Sequence, residues 1–318
     1  MRALVTGAAG FLGSYMTREL VQRGIEVLAT SLPGAAPGAI PATADAPRWT
    51  ALDVREAEAV DRTVREFSPD VVYHFAGLAF VIPSWQDPEG TFRTNVLGTL
   101  HLLESLRRHR PDARFAFAGS GTQYGDPEQV PTPEDAPMRP TSPYASSKAA
   151  ADLLCYQYFR SFGIPVVRYR IFGTTGVGKV GDSINDFASQ IARLEHQPAP
   201  RVMRVGNLDK ARDVTDVRDA TRAMIAVAER GEAGTAYNIG SGVPRTVRTT
   251  LDTLRGFAAA PIEVEVDPSR VRRVDEPVHL ADVRRLRALG WSPEISFEET
   301  LRETLDAWRA TVARAPGA

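Results

Sequence analysis

At 318 residues, with 43% hydrophobic and 24% charged content, the chain is long and apolar enough to bury a substantial core, and an ordinary soluble protein is expected, one compact unit with a smaller appended lobe. A net charge of −1 gives no electrostatic case for a nucleic-acid or membrane partner, although 38 basic residues leave room for a local anion pocket. Met1 runs almost directly into the first predicted strand, no apolar run nears membrane-spanning length, and Cys155 is the single cysteine, so a cytoplasmic chain without an internal disulfide or cysteine-based metal cluster is expected.

Residues 2–6, Arg-Ala-Leu-Val-Thr, form a short apolar run that reads as a strand, and Gly7-Ala8-Ala9-Gly10-Phe11-Leu12-Gly13 follows directly. Strand, glycines, then helix is the context a dinucleotide site requires. Gly7 suits the tight turn, Gly10 lets backbone approach a pyrophosphate, and Gly13 lets helix pack closely on strand. The phosphates would rest on free amides of the helix that begins near Phe11, whose Leu12, Met16, Leu20 and Val21 recur at helical spacing before Gly24. Ile25 to Ala29 reads as the second strand, and Thr30-Ser31 stand where an acid would hold the adenosine ribose of NAD. No arginine follows to hold the 2′-phosphate of NADP. Both cofactors stay open.

Pro33 to Pro47 reads as an irregular loop; Val71 to Phe75 and Phe115 to Ala118 read as buried parallel strands, with a helix from Val96 through Leu106 between them. Such alternation predicts an α/β fold with a doubly wound parallel sheet. A second proline-rich loop, Asp126 to Pro143, is read either as a substrate cover or as a surface excursion. It leads into Tyr144 and Lys148, one helical turn apart. An ammonium beside a phenol, with a nicotinamide cation nearby, would pull the phenol toward the working pH as an acid/base. By itself the pair also fits a helix with one semi-buried tyrosine and one exposed lysine. Further on, Cys155 sits among Leu153, Leu154 and Tyr158 as a packing residue, and Val166 to Arg170 and Tyr237 to Gly240 read as strands. Gly173-Thr174-Thr175-Gly176-Val177-Gly178-Lys179 spells most of a nucleotide-hydrolase phosphate loop, but Val180 follows where magnesium needs Ser or Thr. Hydrolase chemistry is set aside on that ground. Leu301, Leu305, Trp308 and Val312 mark a terminal amphipathic helix.

Thr6 to Gly13, His74-Phe75-Ala76-Gly77, Ser120 and Tyr144-x-x-x-Lys148 together resemble the extended short-chain dehydrogenase/reductases that act on nucleotide sugars. Asp152 to Tyr158, Val205 to Leu208, Arg212 to Asp219, Tyr237 to Gly242 and Leu289-Gly290-Trp291 are most similar to GDP-6-deoxy-D-mannose reductases and GDP-mannose dehydratases. The resemblance implies a Rossmann domain over 1–173 with 213–241 returning to it, and a nucleotide-sugar-binding lobe from 174–212 and 242–318. It implies Ser120, Tyr144 and Lys148 as catalytic: Ser120 bonded to the reacting sugar oxygen, Tyr144 moving its proton, Lys148 on the nicotinamide ribose. Asp53 and Val54 are implied at adenine, Phe75, Ala76 and Gly77 along the cofactor, and Asn95, Thr122, Arg212 and Arg273 at the substrate, with Asn95 also readable as a buried helix-capping residue and each arginine as a solvated surface residue. Homodimers through a four-helix contact are also implied, with Ala149, Leu153 and Tyr156 either in that contact or against the sheet.

Three departures bear on the reaction. Dehydratases of this type carry a carboxylate where Thr122 stands, and a hydroxyl is no general base near neutrality, so dehydration is not expected. Gly173 and Val177 replace a usual asparagine and proline, which leaves the sugar open. The expected activity is reduction of a 4-keto deoxyhexose, GDP-linked by resemblance, with NAD(P)H. The alternatives are a 4-epimerase working by transient C4 oxidation and, from another class, a dinucleotide-binding redox sensor without chemistry.

Overall fold

Short apolar runs spaced by amphipathic helices can bury both faces of a sheet only if the helices cross over it, and the chain folds accordingly. The computed structural model describes residues 1–35, 46–270 and 278–314. Its first half runs β1 (Arg2–Thr6), α1 (Phe11–Gln22), β2 (Glu26–Ser31), β3 (Arg48–Ala51), α2 (Ala57–Phe67), β4 (Val71–His74), α3 (Val81–Gln86), α4 (Pro88–Phe92), α5 (Gly98–His109) and β5 (Arg114–Ser120). Next come α6 (Pro143–Phe162), β6 (Val166–Ile171), β7 (Gly173–Thr175), α7 (Ser183–Leu194), β8 (Val202–Val205), β9 (Ala211–Asp216) and α8 (Val217–Arg230). The chain ends with β10 (Ala236–Ile239), β11 (Pro244–Thr246), α9 (Val247–Gly256), β12 (Glu263–Val266), β13 (Val278–His279), α10 (Arg284–Ala288) and α11 (Phe297–Arg314).

Seven parallel strands form the central sheet in the order β10-β6-β5-β4-β1-β2-β3. The order reverses between β1 and β4, so a crevice opens beyond the carboxyl ends of those strands, where sheets of this kind bind ligands. One face of the sheet packs Met16, Leu20, Tyr169 and Met224 against α1 and α8; the other packs Leu4, Leu102, Leu106 and Phe115 against α2 and α5. Each such side chain removed from water contributes about 1.5–3 kcal/mol. A second sheet, β11-β9-β13 with β7 on β9, and the pair β12-β8 build the lobe, whose own core joins Phe187, Ile191, Leu251, Leu301 and Leu305.

Three expectations change. The strand predicted over 115–118 continues to Ser120, so that serine is the last strand residue and not one past it. The helix predicted from Val96 begins as a π turn, Arg93–Leu97, before α5. The loop after Asp126 is not a free excursion. Its middle is anchored: Thr132 and Glu134 are buried, Asn238 Nδ2 donates to the Thr132 carbonyl at 2.8 Å, and Arg170 Nη1 donates to the Glu134 carbonyl at 2.7 Å. Most of the loop predicted from Pro33 to Pro47 lies outside the described residues, as does Arg273.

Candidate active site

The turn after β1 is shaped by glycine. Gly7 holds φ +70°, and a Cβ there would sit 2.6 Å from the Ala76 nitrogen; a Cβ on Gly13 would collide with the Gly7 carbonyl. Gly10 caps α1 with no side-chain hydrogen bond and no acid follows in the first turn, so the helix presents unshielded amides near Phe11 and Leu12. At the end of β2, Thr30 is buried with its hydroxyl unpartnered, while its carbonyl accepts the Ala8 amide at 2.8 Å; Ser31 beside it is half-buried. An open helix end, a glycine cradle and an orphaned hydroxyl suit a dinucleotide, whose pyrophosphate and ribose supply the missing partners.

Further along the crevice the expected contacts divide. The Asp53 carboxylate is engaged by Arg55 (Nη2 to Oδ2, 2.6 Å), which holds it below the usual carboxylate range, and it remains half-buried. Val54 is buried, and its carbonyl is 2.9 Å from His101 Nδ1. Phe75, Ala76 and Gly77 leave β4 half-buried, and a Cβ on Gly77 would lie 3.4 Å from Lys148 Nζ. That glycine keeps the ammonium within reach of the crevice.

Ser120 ends β5 with its hydroxyl 2.9 Å from that of Thr122, and its amide donates to Gln123 Oε1 at 2.8 Å. Tyr144 enters from α6, whose start is set by Ser142 as N-cap, accepting the Ala145 amide at 3.2 Å, and by Pro143 in the first turn. The Tyr144 amide donates to Ser84 Oγ at 3.1 Å, which pins this turn to α3. The Tyr144 side chain lies near enough to that of Ser120 for the serine to act on the phenol, so the two residues come together. Burial raises the Tyr144 pKa and the Ser120 contact opposes the rise.

Lys148 is buried and donates to the Ala118 carbonyl at 2.8 Å, with its pKa brought down to about 8 by burial. Lys148 is not among the groups that set the Tyr144 pKa here, where burial outweighs the Ser120 contact. The phenol is raised, not lowered, because loss of solvent is the larger influence and the ammonium is directed at the β5 backbone.

Asn95 takes the buried structural role. It is 1% exposed, its Oδ1 accepts the Leu78 amide at 2.8 Å, and its Nδ2 donates to Ser147 Oγ at 2.9 Å and the Leu78 carbonyl at 3.1 Å. Both amide ends are used within the protein, so it braces the Leu78 turn against α6 and does not offer itself to a substrate. Thr122 is half-buried next to Ser120. Arg212 lies on β9 of the lobe, paired in register with Arg245 on one side and His279 on the other.

Several positioning residues are not legible in single motifs. His74 is buried between Thr6 Oγ1 (2.7 Å) and Thr99 Oγ1 (3.0 Å), and burial drives its pKa to about 3, so the ring is neutral. Thr99 donates to the Asn95 carbonyl and therefore accepts from Nε2, while Thr6, accepting the Ala76 amide, donates to Nδ1. Gln123 carries the Ser120 amide to Asp152 Oδ2 at 3.2 Å, and Asp152 in turn pairs with Arg168 and Arg170. His279 stacks on Phe172 with ring centroids 4.4 Å apart, and a Cβ on Gly121 would lie 2.8 Å from its Nε2. The lobe thus abuts the Ser120–Thr122 turn through a lone histidine that no spacing pattern singles out.

A family model described as GDP-mannose 4,6 dehydratase matches residues 4–304. The chain is 32% identical, over 98% of its length and 98% of the relative's, to GDP-6-deoxy-D-mannose reductase of Pseudomonas aeruginosa. Among solved structures it resembles RMD from Pseudomonas aeruginosa complexed with NADPH, with 31% identity, a TM-score of 0.83, and 98% and 99% of the two chains covered. It also resembles UDP-glucose 4-epimerase of Thermus thermophilus in complex with NAD, with 32% identity, a TM-score of 0.84, and 97% and 99% covered.

Proposed function

The chain belongs to the GDP-mannose 4,6-dehydratase family of extended short-chain dehydrogenase/reductases, and from that premise we propose that it reduces the C4 ketone of a nucleotide-linked deoxyhexose, with GDP as the nucleotide. It is an NAD(P)-dependent nucleotide-sugar enzyme. The observation that carries the reading is the convergence of Tyr144 and Ser120, with Lys148 on the same β5 end, beside an open glycine cradle. When bound, the nicotinamide supplies the hydride. Ser120 hydrogen-bonds the sugar O4, and Tyr144 gives that oxygen its proton as the ketone becomes an alcohol. A phenol raised by burial is the protonated donor that reduction needs. Lys148, now bonded to the Ala118 carbonyl, would hold the nicotinamide ribose when the cofactor is bound. Thr122 places a hydroxyl 2.9 Å from Ser120 where dehydration would call for a carboxylate.

Epimerisation is the second reading, favoured by the likeness to the NAD-bound epimerase and by the same Ser120, Tyr144 and Lys148. The two differ in how they use cofactor. A reductase is expected to consume one NAD(P)H per sugar and to release bound cofactor on purification, whereas an epimerase retains tightly held NAD and needs none added. Absorbance of nucleotide freed by denaturing the purified protein, with turnover on 4-keto sugars, distinguishes them; retained stoichiometric NAD with no net NAD(P)H oxidation would overturn the first reading.

We also propose a homodimer and, with the single cysteine buried, a cytoplasmic location; among the described residues no helix is long and apolar enough to cross a membrane. Ala149 faces the core, while Leu153 and Tyr156 on α6 and Leu97 before α5 are exposed. Leu153→Glu places a charge on that apolar face and is expected to shift sedimentation from dimer to monomer. An unaltered sedimentation coefficient would exclude this face.

A further inference from the structure

The stretch Gly173 to Lys179, set aside as a hydrolase loop, lies against the first turn of α1. Tyr15 donates to the Val177 carbonyl at 2.9 Å, and a Cβ on Gly176 would lie 4.0 Å from Phe11 Cζ. Lys179 Nζ stands 4.8 Å from the centre of the Phe11 ring. The carboxylate that acts on it is Asp182, whose oxygens are already taken by the Asn185 amide and the Thr175 hydroxyl, both at 2.8 Å. Lys179 is half-buried and burial lowers its pKa, so its charge is held at a cost in solvation.

Two positive features therefore meet over Phe11. One is the ammonium; the other is the amide end of α1, equivalent to roughly half a charge. No acid in the first turn of α1 offsets them. At the far side of the same glycine turn, the buried Thr30 hydroxyl has no partner. An ammonium and a helix amide end held together by a stapled loop favour an anion between them, and the Thr30 hydroxyl across the turn offers it a further partner.

We propose that Lys179 is a diphosphate-binding residue, closing from the Gly176–Lys179 loop over the pyrophosphate seated at the N-terminus of α1. Positive φ at Gly176 and Gly178 lets the loop make this approach, and Tyr15 keeps it in place. The proposal rests on the dinucleotide site above and adds a cation that the glycine turn does not contain. Contact with Phe11 assigns the anion to the cofactor, whereas the nucleotide sugar carries a diphosphate of the same chemistry.

Calorimetric titration of the intact protein with NADH, NADPH, ADP-ribose and GDP tests the assignment. Lys179→Ala is expected to weaken both reduced dinucleotides and ADP-ribose about tenfold, Lys179→Arg to recover most of that, and the difference to shrink in high salt. GDP affinity and melting temperature are expected to stay at the unaltered protein's values. Dinucleotide and ADP-ribose affinities unchanged in Lys179→Ala would overturn the proposal, as would a loss confined to GDP, which would move the lysine to the sugar nucleotide. An unaltered protein that binds neither dinucleotide would instead remove the function proposed above, and this inference with it.

Discussion

Tyr144→Phe is expected to lower kcat for keto-sugar reduction by about 10²–10⁴-fold, the contribution of a positioned proton donor. The substitution deletes one oxygen and leaves the ring, so α6 keeps its packing and its Ser142 cap. Cofactor affinity is expected to remain near that of the unaltered protein. The glycine turn follows β1 and Thr30 lies on β2, whereas Tyr144 lies on α6. Single-turnover rates with saturating NAD(P)H, measured beside cofactor dissociation constants, separate the two effects. Sugar turnover that survives the loss of the hydroxyl would remove Tyr144 from the chemistry, and turnover absent in both proteins would favour the redox sensor.

The second large effect concerns stability. Asp152 is 0% exposed, and its carboxylate lies 2.6 Å from Arg168 Nη1, 3.1 Å from Arg170 Nε and 3.2 Å from Gln123 Nε2. Arg168 and Arg170 are themselves buried on β6, so Asp152→Ala would leave two guanidinium groups out of water without a carboxylate. The expected loss is about 3–5 kcal/mol in denaturant unfolding. Asp152→Asn keeps the shape and one acceptor and is expected to lie between the two. Because Gln123 joins Asp152 to the Ser120 amide, the Asn variant should also lose kcat with little change in KM. A stability loss below about 1 kcal/mol on going to Ala would mean that water or a rearranged side chain satisfies both arginines.

The halves of the site differ in how far they could be read from the sequence. The glycine turn was legible because its requirements are local: a positive φ at Gly7 and the close approach at Gly13 are set within a dozen residues. Tyr144 and Lys148 were legible for the same reason, as one turn of one helix. The direction of the Tyr144 shift was not. It depends on how much solvent the surrounding protein removes and on the Ser120 contact, and neither is encoded in helical spacing. Asn95 shows the same limit, since its two amide ends are consumed by Leu78 and by Ser147 on α6. Lys179 belongs in sequence to an incomplete phosphate-loop motif, and its place over Phe11 is visible only in the fold, where Tyr15 holds the loop by the Val177 carbonyl.

By itself the sequence determined the alternation that yields a doubly wound sheet, the glycine turn and the Tyr144-to-Lys148 spacing, because each follows from neighbours along the chain. Tertiary structure alone decided which buried polar groups meet: Asp152 with Arg168 and Arg170, His74 with Thr6 and Thr99, His279 against Gly121. The physical reason is that a buried donor or charge takes whatever partner the fold brings within about 3 Å, and sequence separation carries no information about that distance.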